Sequence, residues 1–301
     1  MRFSAVIVSR NDNYGGHLNT RATFCFNTML DAFDEVIYVD WNTEEGKPPL
    51  TDDIEIVVNS DRLKVIVVPP EMAMKLMGEE GYKTGQKCCE VLARNIGIRR
   101  ASGDIIVSTN IDVVCSRRAY LEEVCRDLKP GDLITVKRNS LERDVVLGIH
   151  EQTRSYQLTR DSVVDYCGVE TMKNGLMFPY LKVNKEILDK VPIEHHYNAS
   201  SIFGGCGDFQ MAHKDTWYSI RGFEENQLKR NFNDTNVQYK VIMAGGAVTA
   251  TNLPPVYHIN HEYEKNVPSN TCVPIPFTTN SETWGFSEEN FEIRTRDPVS
   301  V

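Results

Sequence analysis

The sequence lacks the features that mark nucleic-acid-binding, membrane-spanning and disulfide-stabilised proteins. Its 33 lysines and arginines are outnumbered by 42 acidic residues, for a formal net charge of −9, whereas binding a nucleic-acid backbone requires a basic surface. It contains no run of about 18 apolar residues, so we expect no membrane span. None of its eight cysteines forms a C-x-x-C pair. We interpret them as reduced, mostly buried thiols of a cytoplasmic protein.

The composition and length of the sequence are typical of a globular protein. Hydrophobic residues make up 41% and charged residues 25% of its 301 residues, which is enough to build a substantial core. In the first half, apolar runs alternate with segments of helical spacing. The runs lie at 5–8, 35–40, 63–68, 104–108 and 132–137, and the helical segments at 18–33, 87–101 and 117–128. This alternation predicts an α/β fold with a mostly parallel central sheet flanked by helices.

In such sheets ligands bind beyond the carboxyl ends of the strands. The polar residues that follow three of the predicted strands are therefore candidates for binding. They are Ser9, Arg10, Asn11 and Asp12 after the first strand, Asp40, Trp41 and Asn42 after the second, and Asn110-Ile111-Asp112 after the fourth. The Asp112 carboxylate can hold a divalent cation against the phosphates of a nucleotide. The alternative is that Asp112 only caps a helix or turn, and that Asp12 and Asp40 only stabilise turns.

Polar residues in the second half are candidates for proton transfer and for completing a metal site. Asp234 is the leading candidate for a general base, with Asp208 as its rival; Asp234 could instead cap the helix predicted at 234–244. His258 and His261 end a strand-like run. Because residues that share a strand face are two apart, we expect only one of these histidines to reach a cation site.

The segment from Ala93 to Asp112 resembles the central block of glycosyltransferase family 2. In that family a helix of A-R-N-x-G type, here containing Arg94 and Asn95, is followed by a strand and a D-x-D-type metal site. Asn110 replaces the first acidic residue of that site, and Val113 stands where a further aspartate is common. Trp41 occupies the position at which the family reads a uracil edge, so the sequence does not identify the base.

Six short motifs extend this resemblance over residues 4 to about 290. In order they are R-N-D-x-Y-G-G, D-W-N, T-N-I-D, G-D-F, Y-H-I-x-H and a late W-G. This combination resembles a little-characterised group of family-2-like glycosyltransferases in which the Asn of T-N-I-D is part of the pattern. The resemblance implies a GT-A fold in one continuous domain. Residues 1–138 would bind the nucleotide sugar, 139–200 would be an insertion or acceptor-side segment, and 201–301 would form the acceptor and catalytic half.

The implied activity is transfer of a sugar, of hexosyltransferase type, from a nucleotide-sugar donor to a hydroxyl of a saccharide or glycoconjugate. The implied cofactor is Mn²⁺ or Mg²⁺, held by Asp112 with His258 or His261. The nucleotide would contact the strand-end residues together with Arg94, Asn95 and Asn110. A non-catalytic protein that binds a sugar or nucleotide sugar at an eroded site is the main alternative, favoured by Asn110 and Val113. A nucleotidyltransferase is the third, but the G-x-G-T-R loop of that class is absent after the first strand.

Overall fold

The structure of the protein, a computed structural model, describes residues 1–83, 86–173, 181–192, 207–229, 232–262 and 280–296. The side chains of 165–173 and 253–255 are not part of this description. Residues 201–206, which begin the predicted acceptor and catalytic half, therefore lie outside the described residues.

Strands and helices alternate through the first part of the chain, as predicted. Its elements are β1 Phe3–Ser9, α1 Leu18–Ala32, β2 Glu35–Trp41, β3 Leu63–Val68, α2 Pro70–Tyr82, α3 Glu90–Arg100 and β4 Ile105–Asn110. These strands carry apolar residues on both faces because each face of the sheet is covered by helices. Along β1, Val6 and Val8 pack into one core cluster, while Ala5 and Ile7 pack into the other.

The remaining described elements complete the sheet and its flanks. They are β5 Val113–Cys115, α4 Arg118–Cys125, β6 Leu133–Leu141, α5 Arg143–Thr153, α6 Tyr156–Lys173, β7 Leu181–Val183, α7 Lys185–Leu188, β8 Phe209–His213, α8 Lys214–Ser219, α9 Asn233–Met243, β9 Val248–Ile259 and β10 Glu292–Thr295. No helix among the described residues is long and apolar enough to cross a membrane.

The ten described strands form one sheet in the order β10-β3-β2-β1-β4-β8-β6-β9-β5, with β7 paired to β9. This architecture confirms the predicted α/β fold. The sheet is parallel from β3 through β4, as expected. It becomes mixed in the second half, because β8 runs antiparallel to both β4 and β6.

The strand order brings the carboxyl ends of β1, β2 and β4 to the same edge of the sheet. Within the ladders, Ser9 lies opposite Asp40 and Val8 lies opposite Asn110. The loops that follow these three strands are therefore neighbours. They form the edge at which ligands bind in open α/β sheets.

A candidate metal and donor site

Asp112 lies in the two-residue connection between β4 and β5, where the chain leaves the centre of the sheet. Strand β5 pairs antiparallel with β9, and this register places Val113 opposite His258. The backbone N–H of Ile259 donates to the carbonyl of Asp112 at 2.9 Å. The end of β9 is thus fixed beside Asp112 by backbone hydrogen bonds.

Both histidines of the Y-H-I-x-H motif contact the Asp112 carboxylate. The Nε2 atom of His258 lies 3.4 Å from Asp112 Oδ2, and the Nε2 atom of His261 lies 3.0 Å from the same oxygen. The expectation that only one of them points inward is wrong. Side chains alternate between faces only within a strand, and β9 ends at Ile259. Only His258 of the pair therefore lies in the strand. His261 follows the strand end, where the chain direction is no longer fixed by the pleat.

The three side chains are buried and carry polar atoms suited to a cation. Among the described residues, Asp112 Oδ1 and His258 Nδ1 are buried without a hydrogen-bond partner. One ligand atom from each of Asp112, His258 and His261 can be chosen so that all lie within 4.8 Å of one another. A carboxylate oxygen with two imidazole nitrogens suits Mn²⁺, Zn²⁺ or Fe²⁺. The residues therefore fit a divalent transition-metal ion.

The electrostatics of Asp112 favour its charged form. Burial by itself would raise the pKa of this carboxyl, but hydrogen bonds from His258 and His261 outweigh burial and hold the pKa well below its usual range. The carboxylate is thus ionised at neutral pH, which is the form that binds metal.

Arg21, a residue that the sequence analysis did not select, completes this cluster from α1. Its Nη1 lies 3.2 Å from Asp112 Oδ2. Its Nη2 donates to the backbone carbonyls of Tyr14 and Gly16. The side chain is 1% exposed. A signal was present in the sequence, because Arg21 falls in helical register with the apolar residues Leu18 and Cys25.

The loop between β1 and α1 packs directly on His261. The rings of Tyr14 and His261 make an edge contact with centroids 5.3 Å apart. Gly15 has φ +68°, and a Cβ there would lie 2.4 Å from His261 Nδ1. This position therefore requires glycine, both for its backbone conformation and for the close approach of the ring.

A cleft of about 540 Å³ opens beside the cluster. It is lined by Gly15, Gly16, His17, Arg21, Glu142, Arg143, Asp144, Asn260, His261 and Glu262. Most of these residues are charged or polar, and the cleft shares Arg21 and His261 with the Asp112 cluster.

No protein-family model and no curated protein matches the chain. It is similar in structure to S. aureus TarS residues 1–349 in complex with UDP-GlcNAc. The two are 14% identical, the match covers 88% of this chain and 60% of the TarS chain, and the TM-score is 0.46. It is also similar in structure to GalNAc-T7 with UDP, GalNAc and Mn²⁺. These two are 10% identical, the match covers 94% of this chain and 46% of the GalNAc-T7 chain, and the TM-score is 0.49. The chain thus spans less than two thirds of either protein chain.

A second polar network starts at Asn110, two residues before Asp112. Its Nδ2 donates to Asp208 Oδ1 at 2.6 Å, and its Oδ1 accepts from Arg94. The other oxygen of Asp208 accepts from Arg138. Burial raises the pKa of Asp208, the charge of Arg138 opposes this, and the charge of Asp112 adds to it. Asn110 is therefore the amide bridge between an arginine and a carboxylate.

Asp234 lies in the first turn of α9, beside Asp208. A Cβ on Gly207 would be 2.6 Å from the Cβ of Asp234, so the absence of a side chain at Gly207 lets the two acidic residues approach. Burial raises the pKa of Asp234, a backbone hydrogen bond from Thr235 opposes this, and the charge of Asp208 adds to it. The helix N-cap is Phe232 rather than Asp234, and its side chain makes no capping hydrogen bond.

The residues after β1 form a loop that is partly exposed. Arg10 pairs with Asp12 at 3.3 Å and with Glu44 at 3.3 Å, and the Asn11 amide donates to the Pro48 carbonyl. Ser9 donates to the carbonyl of Arg10. Asn11 and Asp12 keep exposed surface at the strand-end edge.

The last residues of β2 and the residue that follows it are buried. Asp40 Oδ1 accepts from Tyr38 at 2.9 Å and from Thr43 at 2.8 Å. Trp41 is fully buried in a core cluster, and the Asn42 amide donates to the Lys87 carbonyl. The side chains of Asp40, Trp41 and Asn42 thus make their contacts inside the protein.

The A-R-N helix contributes one residue to the network and one to the scaffold. Arg94 donates to Ser108 Oγ at 2.6 Å as well as to Asn110. Asn95 is fully buried and exchanges two hydrogen bonds with the backbone of Phe223, at 2.9 and 2.8 Å. These contacts hold the segment around Phe223 against α3.

Proposed function

We propose that the protein is a metal-dependent glycosyltransferase of GT-A type that moves a sugar from a nucleotide-sugar donor to a hydroxyl of a saccharide or glycoconjugate. The observation that carries this proposal is the convergence of Asp112, His258 and His261 at the carboxyl end of β4. The family-2 resemblance of the A-R-N and T-N-I-D segments supports it, because that resemblance assigns a metal site to the same residue.

Asp112, His258 and His261 would hold the cation. When bound, a divalent cation offsets the negative charge that develops on the departing diphosphate. Mn²⁺ suits this nitrogen-containing ligand set better than Mg²⁺, which prefers oxygen ligands. The neighbouring cleft, with Gly15 and Gly16 in its lining, would receive the donor.

Asp234 is the proposed general base. As the acceptor oxygen bonds to the sugar carbon and the bond to the diphosphate breaks, the acceptor hydroxyl loses its proton, and Asp234 would accept it. Its pKa is raised by burial, which strengthens it as a base. Both oxygens of the rival Asp208 already accept hydrogen bonds, from Asn110 and Arg138. We therefore assign Asp208 the role of holding the site together.

For the nucleotide, the partly exposed residues Asn11 and Asp12 are the proposed contacts, together with Ser9, Arg10 and the Arg94–Asn110 pair. Asp40, Trp41 and Asn42 would act mainly by shaping the loop, since their side chains are buried.

Screening nucleotide sugars for thermal stabilisation, with and without Mn²⁺, tests the proposal, because a ligand of the folded state raises its stability. We expect one donor to stabilise the wild type only with Mn²⁺, and Asp112→Ala to lose this effect. A donor that stabilises Asp112→Ala and wild type equally would contradict the cation assignment.

A non-catalytic sugar-binding protein is the second candidate. It is favoured by the engagement of Asn110 between Arg94 and Asp208, in place of an acidic metal ligand. A sensitive donor-hydrolysis assay with the stabilising donor separates the two functions. Turnover that is lost in Asp234→Asn supports the transferase, and binding without turnover supports the alternative.

A further inference from the structure

Arg21 places a fixed positive charge against the carboxylate that would hold the proposed cation. Its guanidinium, the His258 ring and the His261 ring all meet Asp112 Oδ2, at 3.2, 3.4 and 3.0 Å. An arginine stays charged at any physiological pH. The cluster therefore contains a negative and a positive group in direct contact before any cation binds.

The guanidinium is held in place by the backbone. Its Nη2 donates to the carbonyls of Tyr14 and Gly16, in the same loop that packs on His261. Swinging Arg21 away from Asp112 would break these hydrogen bonds and disturb the wall of the cleft. A buried donor that loses its partners is costly, so we expect Arg21 to stay beside Asp112 when a ligand enters.

A divalent ion entering alone meets a cluster whose charges already cancel. The charge of −1 on Asp112 is balanced by the charge of +1 on Arg21. The entering cation and Arg21 carry like charges, which repel strongly at a few ångströms in a buried site. Three further carboxylates line the cleft, Glu142, Asp144 and Glu262. All three belong to exposed residues, where solvent and salt screen them. A diphosphate, in contrast, brings negative charge to the cluster itself.

We propose that Arg21 makes cation binding depend on the diphosphate, so that the ion and the donor bind together rather than the ion first. This inference rests on the proposed function. It makes Arg21 a specificity-determining residue: it disfavours the free ion and favours the ion accompanied by an anionic group.

The test is a titration with Mn²⁺, with the free ion followed by electron paramagnetic resonance. It uses wild type, Arg21→Gln, which removes the charge but keeps a donor, and Arg21→Lys, which keeps the charge. Each is titrated with and without methylenediphosphonate, a diphosphate mimic without base or sugar, after correction for its own association with Mn²⁺. Asp112→Ala is the control without the site.

We expect Arg21→Gln to bind Mn²⁺ alone at least about tenfold more tightly than wild type, because the repulsion is removed. Arg21→Lys should resemble wild type. Methylenediphosphonate should tighten Mn²⁺ binding by wild type more than by Arg21→Gln.

Equal or weaker binding by a folded Arg21→Gln would overturn the inference and leave the cation site standing. The wild type by itself also tests the inference, even if the variant does not fold. Equal Mn²⁺ affinity of the wild type with and without methylenediphosphonate would overturn the inference. Binding by none of the proteins under any condition would overturn the proposed cation site and the inference together.

Discussion

Replacing Asn110 by aspartate would restore the acidic residue of the family pattern, yet we expect it to destabilise the protein. The Asn110 amide accepts from Arg94 and donates to Asp208 Oδ1 at 2.6 Å. A carboxylate of the same shape keeps the acceptor but replaces the donor with a second negative oxygen. Two unit charges about 4 Å apart repel by about 4 kcal/mol at an effective dielectric constant of about 20.

The partial exposure of residue 110 and its contact with Arg94 reduce this repulsion, so we expect Asn110→Asp to lose about 2 to 4 kcal/mol at pH 8. The loss should shrink on acidification. Close carboxylates raise the pKa of one partner, so the folded variant binds more protons than the unfolded chain, and its stability falls as pH rises.

Urea denaturation of wild type and Asn110→Asp at pH 5 and pH 8 measures this difference. The exchanged pair Asn110→Asp/Asp208→Asn is the matched control, because it returns one amide and one carboxylate to the bridge and should recover most of the loss. Asn110→Ala should lose a similar amount at both pH values. A pH-independent loss in Asn110→Asp, or no rescue by the exchange, would refute the reasoning.

Three further outcomes are expected. Gly15→Ala places a Cβ 2.4 Å from Nδ1 of His261. Mn²⁺ affinity in the presence of methylenediphosphonate should therefore fall about tenfold or more, and an unchanged affinity would contradict this prediction. Asp234→Asn should lower kcat about a hundredfold or more with little change in donor binding, whereas a matching loss of binding would favour a structural role. Burial lowers the pKa of Lys240 to about 8, so above that pH the unfolded chain binds more protons than the folded one. The free energy of unfolding should therefore rise with pH above about 8, and denaturation curves of Lys240→Met should lack this rise.

The sheet of the first half was predictable because its strands are buried on both faces. Apolar runs such as Leu63–Val68 become strands, and the polar residues after them fall at one edge because parallel strands share a direction. Helix α2 at Pro70–Tyr82 was not predicted. Its sequence carries two glycines and a break in helical geometry at Gly78, which weakens the periodic signal.

The centre of the candidate site was predictable in part. Asp112 was selected by its place after β4, but the partners that determine its chemistry come from distant segments. Arg21 was missed because an arginine in a helix is usually solvated. The convergence of both histidines was missed because alternation holds only inside a strand, and His261 lies outside β9. Arg138 was missed because its partner Asp208 is brought to it by the β6–β8 pairing.

Strand β10 has a consequence for how the chain must be assembled. It pairs with β3, with Glu292 opposite Val67, so one edge of the sheet is covered by a strand that is synthesised after all the other described strands. Until then, the apolar strand Leu-Lys-Val-Ile-Val-Val has unpaired backbone groups along its outer side, which is the kind of edge that joins to other chains. Fragments ending before residue 292 should therefore aggregate more readily than the whole chain, even though every residue of the candidate site is present in them.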